Sequence, residues 1–151
     1  MTGKEIEPGI YVSSQIALED LPSLADAGVG LVICNRPDGE ERRQPTAAEV
    51  ARAAEALGLG FLHLPITALH EIARRPRLEE LARAIAASTG HVLAYCRSGA
   101  RSAALLAAKQ VAIDGVPVEH AVRRLKAIGY DMPALKPLLA ALAAKAGCAR
   151  D

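Results

Sequence analysis

Apolar positions fall into two patterns along this chain: short continuous runs, and stretches where they recur every three or four residues. Ile10-Tyr11-Val12, Val29 to Cys34, Phe61 to Leu64 and His91 to Tyr95 read as strands. The second and fourth are too continuous to be half exposed, which predicts burial in a parallel sheet. Leu18 to Ala27 reads as a helix, with Pro22 tolerable only near its first turn and Gly28 just past its end. Thr46 and Glu49 form a capping box, and Val50, Ala53, Ala54 and Leu57 mark the buried stripe of the helix behind it. Leu78, Leu81, Ala82 and Ile85 mark another, preceded by a loop from Pro65 to Pro76. Three more helices are predicted over Ser102–Ile113, Pro117–Ile128 and Pro133–Ala146. Strands alternating with helices predict an α/β fold with a mainly parallel sheet and flanking helices, and the length of 151 residues fits one domain over 1–151.

Ligands of such sheets sit at the carboxyl ends of the strands. Three loops are therefore expected to converge on one pocket: those after Cys34, after Leu64 and after Tyr95. The last, Cys96-Arg97-Ser98-Gly99-Ala100-Arg101-Ser102, carries the chemistry. A buried strand delivers a cysteine to a tight Gly-containing loop that runs into an Ala/Leu-rich helix. Backbone N–H groups of such a loop point inward, and the helix N-terminus adds about half a positive charge. Arg101 supplies a permanent cation with a planar fork of donors. All three favour thiolate over thiol, so Cys96 is the expected nucleophile of an anion-binding cradle. The plainer alternative is a buried structural cysteine beside a surface arginine.

Composition narrows the classes. Hydrophobic residues make up 51% and charged residues 23%, as in ordinary globular proteins, and a formal net charge of +1 gives no pull toward nucleic acid or anionic membrane. Aromatics are only 3%, with no Trp, which argues against base-stacking surfaces. Three cysteines at positions 34, 96 and 148 do not read as a disulfide framework. The first residues lack an apolar signal-like core, and no stretch approaches a membrane span. The expectation is a reduced, cytoplasmic protein with no cofactor and no metal, no cluster having metal-ligand spacing.

Two segments carry a resemblance. YVSSQIALEDLPSLADAGVGLVICNRPDGEE, residues 11–41, resembles the opening of the atypical dual-specificity phosphatases, and most of all their bacterial beta-lactamase hydrolase-like, phosphatase-like branch. VLAYCRSGARSA, residues 92–103, is similar to that branch at its active loop. The resemblance covers roughly residues 5 to 115, and Asn35–Glu40 and Cys96–Arg101 are its specific parts. It implies a cysteine-phosphatase-like fold: a central sheet of about four strands flanked by helices, with the thiolate loop at its centre. This chain departs from the phosphatase pattern in three ways. Cysteine phosphatases place five residues between nucleophile and arginine; here four separate Cys96 from Arg101, as in the rhodanese-type sulfurtransferases. Tyr95 stands where phosphatases usually have His. Ala68 falls where the aspartate general acid is expected, and Asp38, His70 or Glu71 would have to substitute from non-matching positions. Ser102, after the arginine, is retained.

The short loop and the missing acid point to sulfur transfer. A thiolate attacking an outer sulfur needs no general acid when sulfite leaves, whereas phosphate ester hydrolysis usually needs a proton donor. The main expectation is thus a sulfurtransferase carrying a Cys96 persulfide. The alternative is a protein tyrosine or dual-specificity-like phosphatase working through a Cys96 phosphocysteine, and the third reading is a non-catalytic oxyanion or redox sensor. The substrate is a small anion: thiosulfate, a persulfide or a phosphate ester. Cys96 and Arg101 are the expected catalytic residues, with Arg101 clamping the oxyanion. Arg97, Ser98, Gly99, Ala100, Ser102 and Asp38 are expected to bind substrate. Ser98 is equally suited to capping the next helix, and Asp38 to shaping its own loop. Cys34 is expected in the core, with resolution of a persulfide as its other possible role. His63 and His91 are expected as satisfied strand residues, His120 at the surface, and Cys148 in an uninvolved tail. Arg42-Arg43 and Arg74, Arg75 and Arg77 are expected to flank the pocket.

Overall fold

The computed structural model describes residues 3–150, with side chains to residue 146. Cys148 lies outside the described side chains. Five strands form one sheet in the order β1-β2-β5-β3-β4: Lys4–Glu7 (β1), Ile10–Ser13 (β2), Val29–Cys34 (β3), Gly60–His63 (β4) and His91–Tyr95 (β5). β2, β5, β3 and β4 are parallel, while β1 runs antiparallel to β2. The mainly parallel sheet was expected. β1 was not, because Lys-Glu-Ile-Glu offers one apolar residue, Ile6, to betray it. The tight turn at Gly9, with φ of 81°, folds β1 back onto β2.

Six helices flank the sheet: Leu21–Asp26 (α1), Ala47–Ala56 (α2), Arg75–Ala87 (α3), Ala100–Ala112 (α4), Val118–Ala127 (α5) and Leu135–Arg150 (α6). The stretch expected as one helix from Leu18 divides into a 3₁₀ turn, Leu18–Asp20, and α1. Pro22 decides the break: it has no N–H to give and is accommodated in the first turn of α1. Likewise the loop after Leu64 contains a 3₁₀ segment, Leu69–Ala73. Thr46 caps α2 as predicted, its Oγ1 accepting from Glu49 N at 3.1 Å.

Strand alternation sends the sheet's side chains into two cores. Leu31, Ile33, Val92 and Ala94 join the larger core with α3, α4, α5 and α6. Val32, Cys34, Leu93 and Tyr95 face the smaller one, with Leu21, Leu24, Val50 and Ala54. α4 is the central helix, every residue from Ser102 to Ala112 being buried. Its alanines allow that close approach to sheet and neighbouring helices. Since α4 begins immediately after β5, its N-terminus is fixed at the carboxyl end of the sheet's middle strand.

Candidate active site

β5 ends at Tyr95, and the chain turns at once into α4 through Cys96–Gly99. Tyr95 points into the smaller core, so the next residue, Cys96, returns to the α4 side, where it is fully buried at 0% exposure. Gly99, with φ of 95°, is the N-cap of α4, and its N–H donates to Cys96 Sγ at 3.1 Å. The left-handed backbone requires glycine here, and a Cβ at this position would also run into the Tyr130 hydroxyl. The loop is anchored on its other side by β2 and the residues after it: Cys96 N donates to Ser13 O at 3.4 Å and Gln15 N to Arg97 O at 3.3 Å. Glycine, cysteine and helix start therefore coincide as the sequence suggests.

Arg101 is where the three expected loops meet. Its guanidinium donates to both carboxylate oxygens of Glu40, Nη1 to Oε2 and Nη2 to Oε1, each at 2.8 Å. Nη1 also donates to Ile66 O at 2.9 Å, bringing in the loop after β4. The fork expected to clamp a substrate oxyanion is already occupied by a side chain of the protein. Glu40 hydrogen bonds raise the Arg101 pKa, burial opposes them, and the neighbouring Cys96 sulfur adds to the rise.

Glu40 is itself held from inside. Arg36, 2% exposed, donates from Nε to Glu40 Oε1 at 2.9 Å and from Nη1 to Gln15 Oε1 at 2.9 Å, and its Nη2 lies 3.1 Å from Glu41 Oε1. Glu41 in turn pairs with Arg97 of the cysteine loop at 3.0 Å. The Arg101 hydrogen bonds, supported by those of Arg36, hold the Glu40 carboxyl down at about 2, despite some burial.

The other predicted residues separate into those near the loop and those elsewhere. Ser98 Oγ accepts from Ala100 N at 3.3 Å, a local turn bond leading into α4, whose N-cap is Gly99. Ser102 is buried, but its Oγ donates to Asn35 Oδ1 at 2.8 Å. Asn35, not singled out from sequence, donates from Nδ2 to Leu64 O at 3.0 Å and so ties together β3, the loop after β4 and α4. Asp38 is turned to its own loop, Oδ1 accepting from Ala47 N at 2.8 Å at the start of α2. Glu40, two residues on, is the acidic residue of that loop that reaches Arg101. Glu71 is buried and accepts from Ala68 N at 2.7 Å, from Thr67 N at 2.6 Å and from the Thr67 hydroxyl. Those bonds, the Thr67 hydroxyl first, hold its carboxyl down at about 2. His70 is exposed. Among the described residues no hydrogen bond joins Asp38, His70 or Glu71 to the cysteine loop.

Cys34 lies on the smaller-core face, the side of the sheet opposite Cys96, and its Sγ donates to Arg36 O at 3.4 Å. Burial pushes its thiol pKa up, partly offset by a hydrogen bond with Tyr95. Burial also raises the Tyr95 pKa, with the Cys34 charge next. His63 Nε2 sits 3.0 Å from Arg36 O, His91 packs edge-on to Tyr11 with centroids 5.7 Å apart, and His120 is exposed. Arg74 and Arg75 pair with Glu71 and Glu79, and Arg77 donates to Pro65 O, so these three are not a free basic patch. Arg42 and Arg43 line a shallow groove with Gln15 and Glu19. Among the described residues no three His, Cys, Asp or Glu side chains are grouped to hold a metal ion, and no helix is long and apolar enough to cross a membrane.

Tyr130, in the turn between α5 and α6, is another residue that sequence reasoning missed. Its hydroxyl donates to Ser98 O at 3.2 Å, and burial, then the Cys96 charge, raises its pKa. Tyr130, Ser98, Ser13, Ser14 and Gln15 border a cavity of about 480 Å³ beside the cysteine loop.

The model of the beta-lactamase hydrolase-like protein, phosphatase-like domain family matches residues 4–113, which include the whole Arg36–Glu40 and Cys96–Arg101 arrangement. The chain belongs to that family. Its sequence is 33% identical over 131 residues to a beta-lactamase hydrolase-like protein of Xylella fastidiosa, covering 85% of this chain and 29% of the relative. The chain thus spans under a third of the length of the curated relatives it matches. Among solved structures, a putative phosphatase from Neisseria meningitidis superposes with TM-score 0.79 and 32% identity, over 94% of this chain and 99% of that one. PTPMT1 shares the fold, with TM-score 0.74 over 98% of both chains at 18% identity. These likenesses establish the phosphatase-like α/β fold expected for this family member. They favour the phosphatase alternative over sulfur transfer, for which the comparisons offer no support.

Proposed function

We propose that this phosphatase-like domain is a cysteine-dependent enzyme whose reaction is sulfur transfer, with Cys96 as nucleophile and persulfide carrier. The observation that carries this reading is the state of the carboxylates. Phosphomonoester cleavage through a thiolate expels an alkoxide, which usually needs a proton donor positioned at the leaving oxygen. Glu40 and Glu71, both with pKa values near 2, are ionised at neutral pH and have no proton to give. Asp38 is engaged at the start of α2. Sulfite, a weak base, leaves without one. The six-residue span from Cys96 to Arg101 is in keeping with a small sulfur centre.

In the proposed cycle the Cys96 thiolate attacks the outer sulfur of a donor such as thiosulfate. A new S–S bond forms, and the electron pair of the old one departs with sulfite. An acceptor nucleophile, cyanide in an assay or a thiolate, then takes the outer sulfur and regenerates the Cys96 thiolate. The Gly99 N–H and the start of α4 stabilise negative charge on sulfur through the cycle. Arg101 provides the nearby cation, and the cavity by Tyr130 receives the rest of the donor or acceptor.

Phosphomonoester hydrolysis is the second reading, and the likeness to a putative phosphatase at 32% identity is what favours it. There the thiolate would attack phosphorus and water would later release phosphate from Cys96. Thiosulfate:cyanide and aryl phosphate turnover, measured on one preparation with a Cys96→Ser control, separate the two. Cys96-dependent thiocyanate with negligible phosphate release supports sulfur transfer; the reverse pattern overturns it. Absence of both turnovers, and of Cys96-dependent sulfur uptake from an alkyl hydropersulfide, would favour the sensor reading.

A further inference from the structure

The Arg101 fork is the one strong oxyanion clamp the cysteine loop has, and it faces a carboxylate. That carboxylate is built in. Glu40 takes both terminal nitrogens of Arg101 at 2.8 Å, and its Oε1 also accepts from Nε of the buried Arg36 at 2.9 Å. Arg36 cannot easily release it, being 2% exposed and braced by Gln15. The Glu40 loop is pinned at both ends as well, by Asp38 on Ala47 N and by Gln44 Nε2 donating to Pro37 O at 2.8 Å. The second cation of the cysteine loop, Arg97, is matched in the same way by Glu41. Each arginine of the loop therefore meets a glutamate of the loop after β3.

An incoming dianion gains less from a guanidinium that already makes three hydrogen bonds within the protein, and it meets a fixed negative charge beside them. A donor with at most one charge at its reacting end pays less of that cost, and none in its protonated form. We propose, on the sulfur-transfer reading above, that Glu40 is a specificity-determining residue that directs Cys96 toward organic hydropersulfides, which carry at most one negative charge at the reacting end, and away from dianionic thiosulfate and phosphomonoesters. For R–S–SH the Cys96 thiolate attacks the terminal sulfur. The new S–S bond forms to Cys96, the old one breaks, its electron pair leaves with R–S⁻, and the proton stays on the transferred sulfur. R–S⁻ is then protonated by water. No oxidant or reductant is needed.

The test compares wild type with Glu40→Gln, which keeps the size and an acceptor oxygen while removing the charge. The rate at which Cys96 gains one sulfur is followed by intact mass with thiosulfate and with an alkyl hydropersulfide. E40Q is expected to raise the thiosulfate rate relative to the hydropersulfide rate by about tenfold or more. Glu41→Gln, which removes the same charge from the Arg97 pair, should change the ratio by less than about threefold because that charge is more exposed. An unchanged ratio in E40Q, or an equal fall with both donors, overturns the proposal; the equal fall would make Glu40 a positioning residue for Arg101. Protection of Cys96 from iodoacetamide by inorganic phosphate is measured in parallel. It should be weak in wild type and at least about fivefold stronger in E40Q. If Cys96 takes sulfur from neither donor in any variant, the sulfur-transfer reading fails. The phosphate protection then still decides the charge-filter role of Glu40: strengthened protection upholds it and unchanged protection removes it. Glu40→Ala, expected to act in the same direction, replaces E40Q if the latter does not fold.

Discussion

The loop after β5 and the loop after β3 meet at Arg101, yet they are constructed in opposite ways. The first is short and made mostly of backbone: Gly99 turns in a left-handed conformation, its N–H meets Cys96 Sγ, and α4 begins at once. The second is long and made of charged side chains: Arg36 inside, Glu40 and Glu41 outside, each carboxylate reaching an arginine of the first loop. On the proposed function, one loop supplies the nucleophile and the other sets the charge around it, so reactivity and substrate choice fall to different segments that can be altered separately.

Breaking the joint between the two loops should have the largest effect. Arg101→Lys keeps a cation but cannot donate to both Glu40 oxygens and Ile66 O in one plane. Turnover at Cys96 should fall by about 10²-fold, and the loss should appear in kcat rather than KM if Arg101 acts on the reacting sulfur. A change of less than threefold would mean that the fork is only a strut.

Removing the buried arginine attacks the second loop alone. Arg36→Met leaves Glu40 and Glu41 without their inner partner. Loss of one member of a buried pair costs about 3–5 kcal/mol, but both glutamates are partly exposed, so about 2–3 kcal/mol in a urea melt is expected. Gly99→Ala attacks the first loop alone. The strained φ, together with contact with Tyr130, should cost about 1–3 kcal/mol and slow Cys96 chemistry by displacing the N–H that meets its sulfur. An R36M protein as stable as wild type, or a G99A protein with unaltered kinetics, would erase the distinction between the loops.

Acid gives the smallest and most general probe. The Glu40 and Glu71 carboxyls titrate near 2 in the folded protein, below the unfolded value of 4.5, so the unfolded chain binds more protons between those limits. Their contribution to stability is full above about pH 4.5 and is lost as pH falls toward 2. Glu40→Gln should flatten its share of that decline in melts between those pH values, whereas Cys96→Ser should leave the profile unchanged.

The same contrast explains what could be read from the chain before its structure. The cysteine loop was legible because its features are local: an apolar strand, a cysteine, a glycine where the backbone turns, and a helix start within a few residues. So was the capped start of α2 at Thr46. Glu40 was not, because an acidic residue on a polar loop looks like any solvated side chain until a distant arginine is brought to it. Asp38, with the same charge two residues earlier, was the natural choice, and the Ala47 N–H claimed it. Tyr130 carries no motif and reaches the loop only through the packing of α5 and α6 on α4. β1 escaped because it has a single buried apolar residue, Ile6, and draws its order from pairing with β2.

The most direct test of the account is the intact mass of purified protein after treatment with thiosulfate or an alkyl hydropersulfide, beside Cys96→Ser. The account predicts a gain of one sulfur atom's mass in wild type, lost on adding cyanide and absent in the variant. Wild-type protein that takes up no sulfur from either donor, yet hydrolyses an aryl phosphate through Cys96, would contradict it.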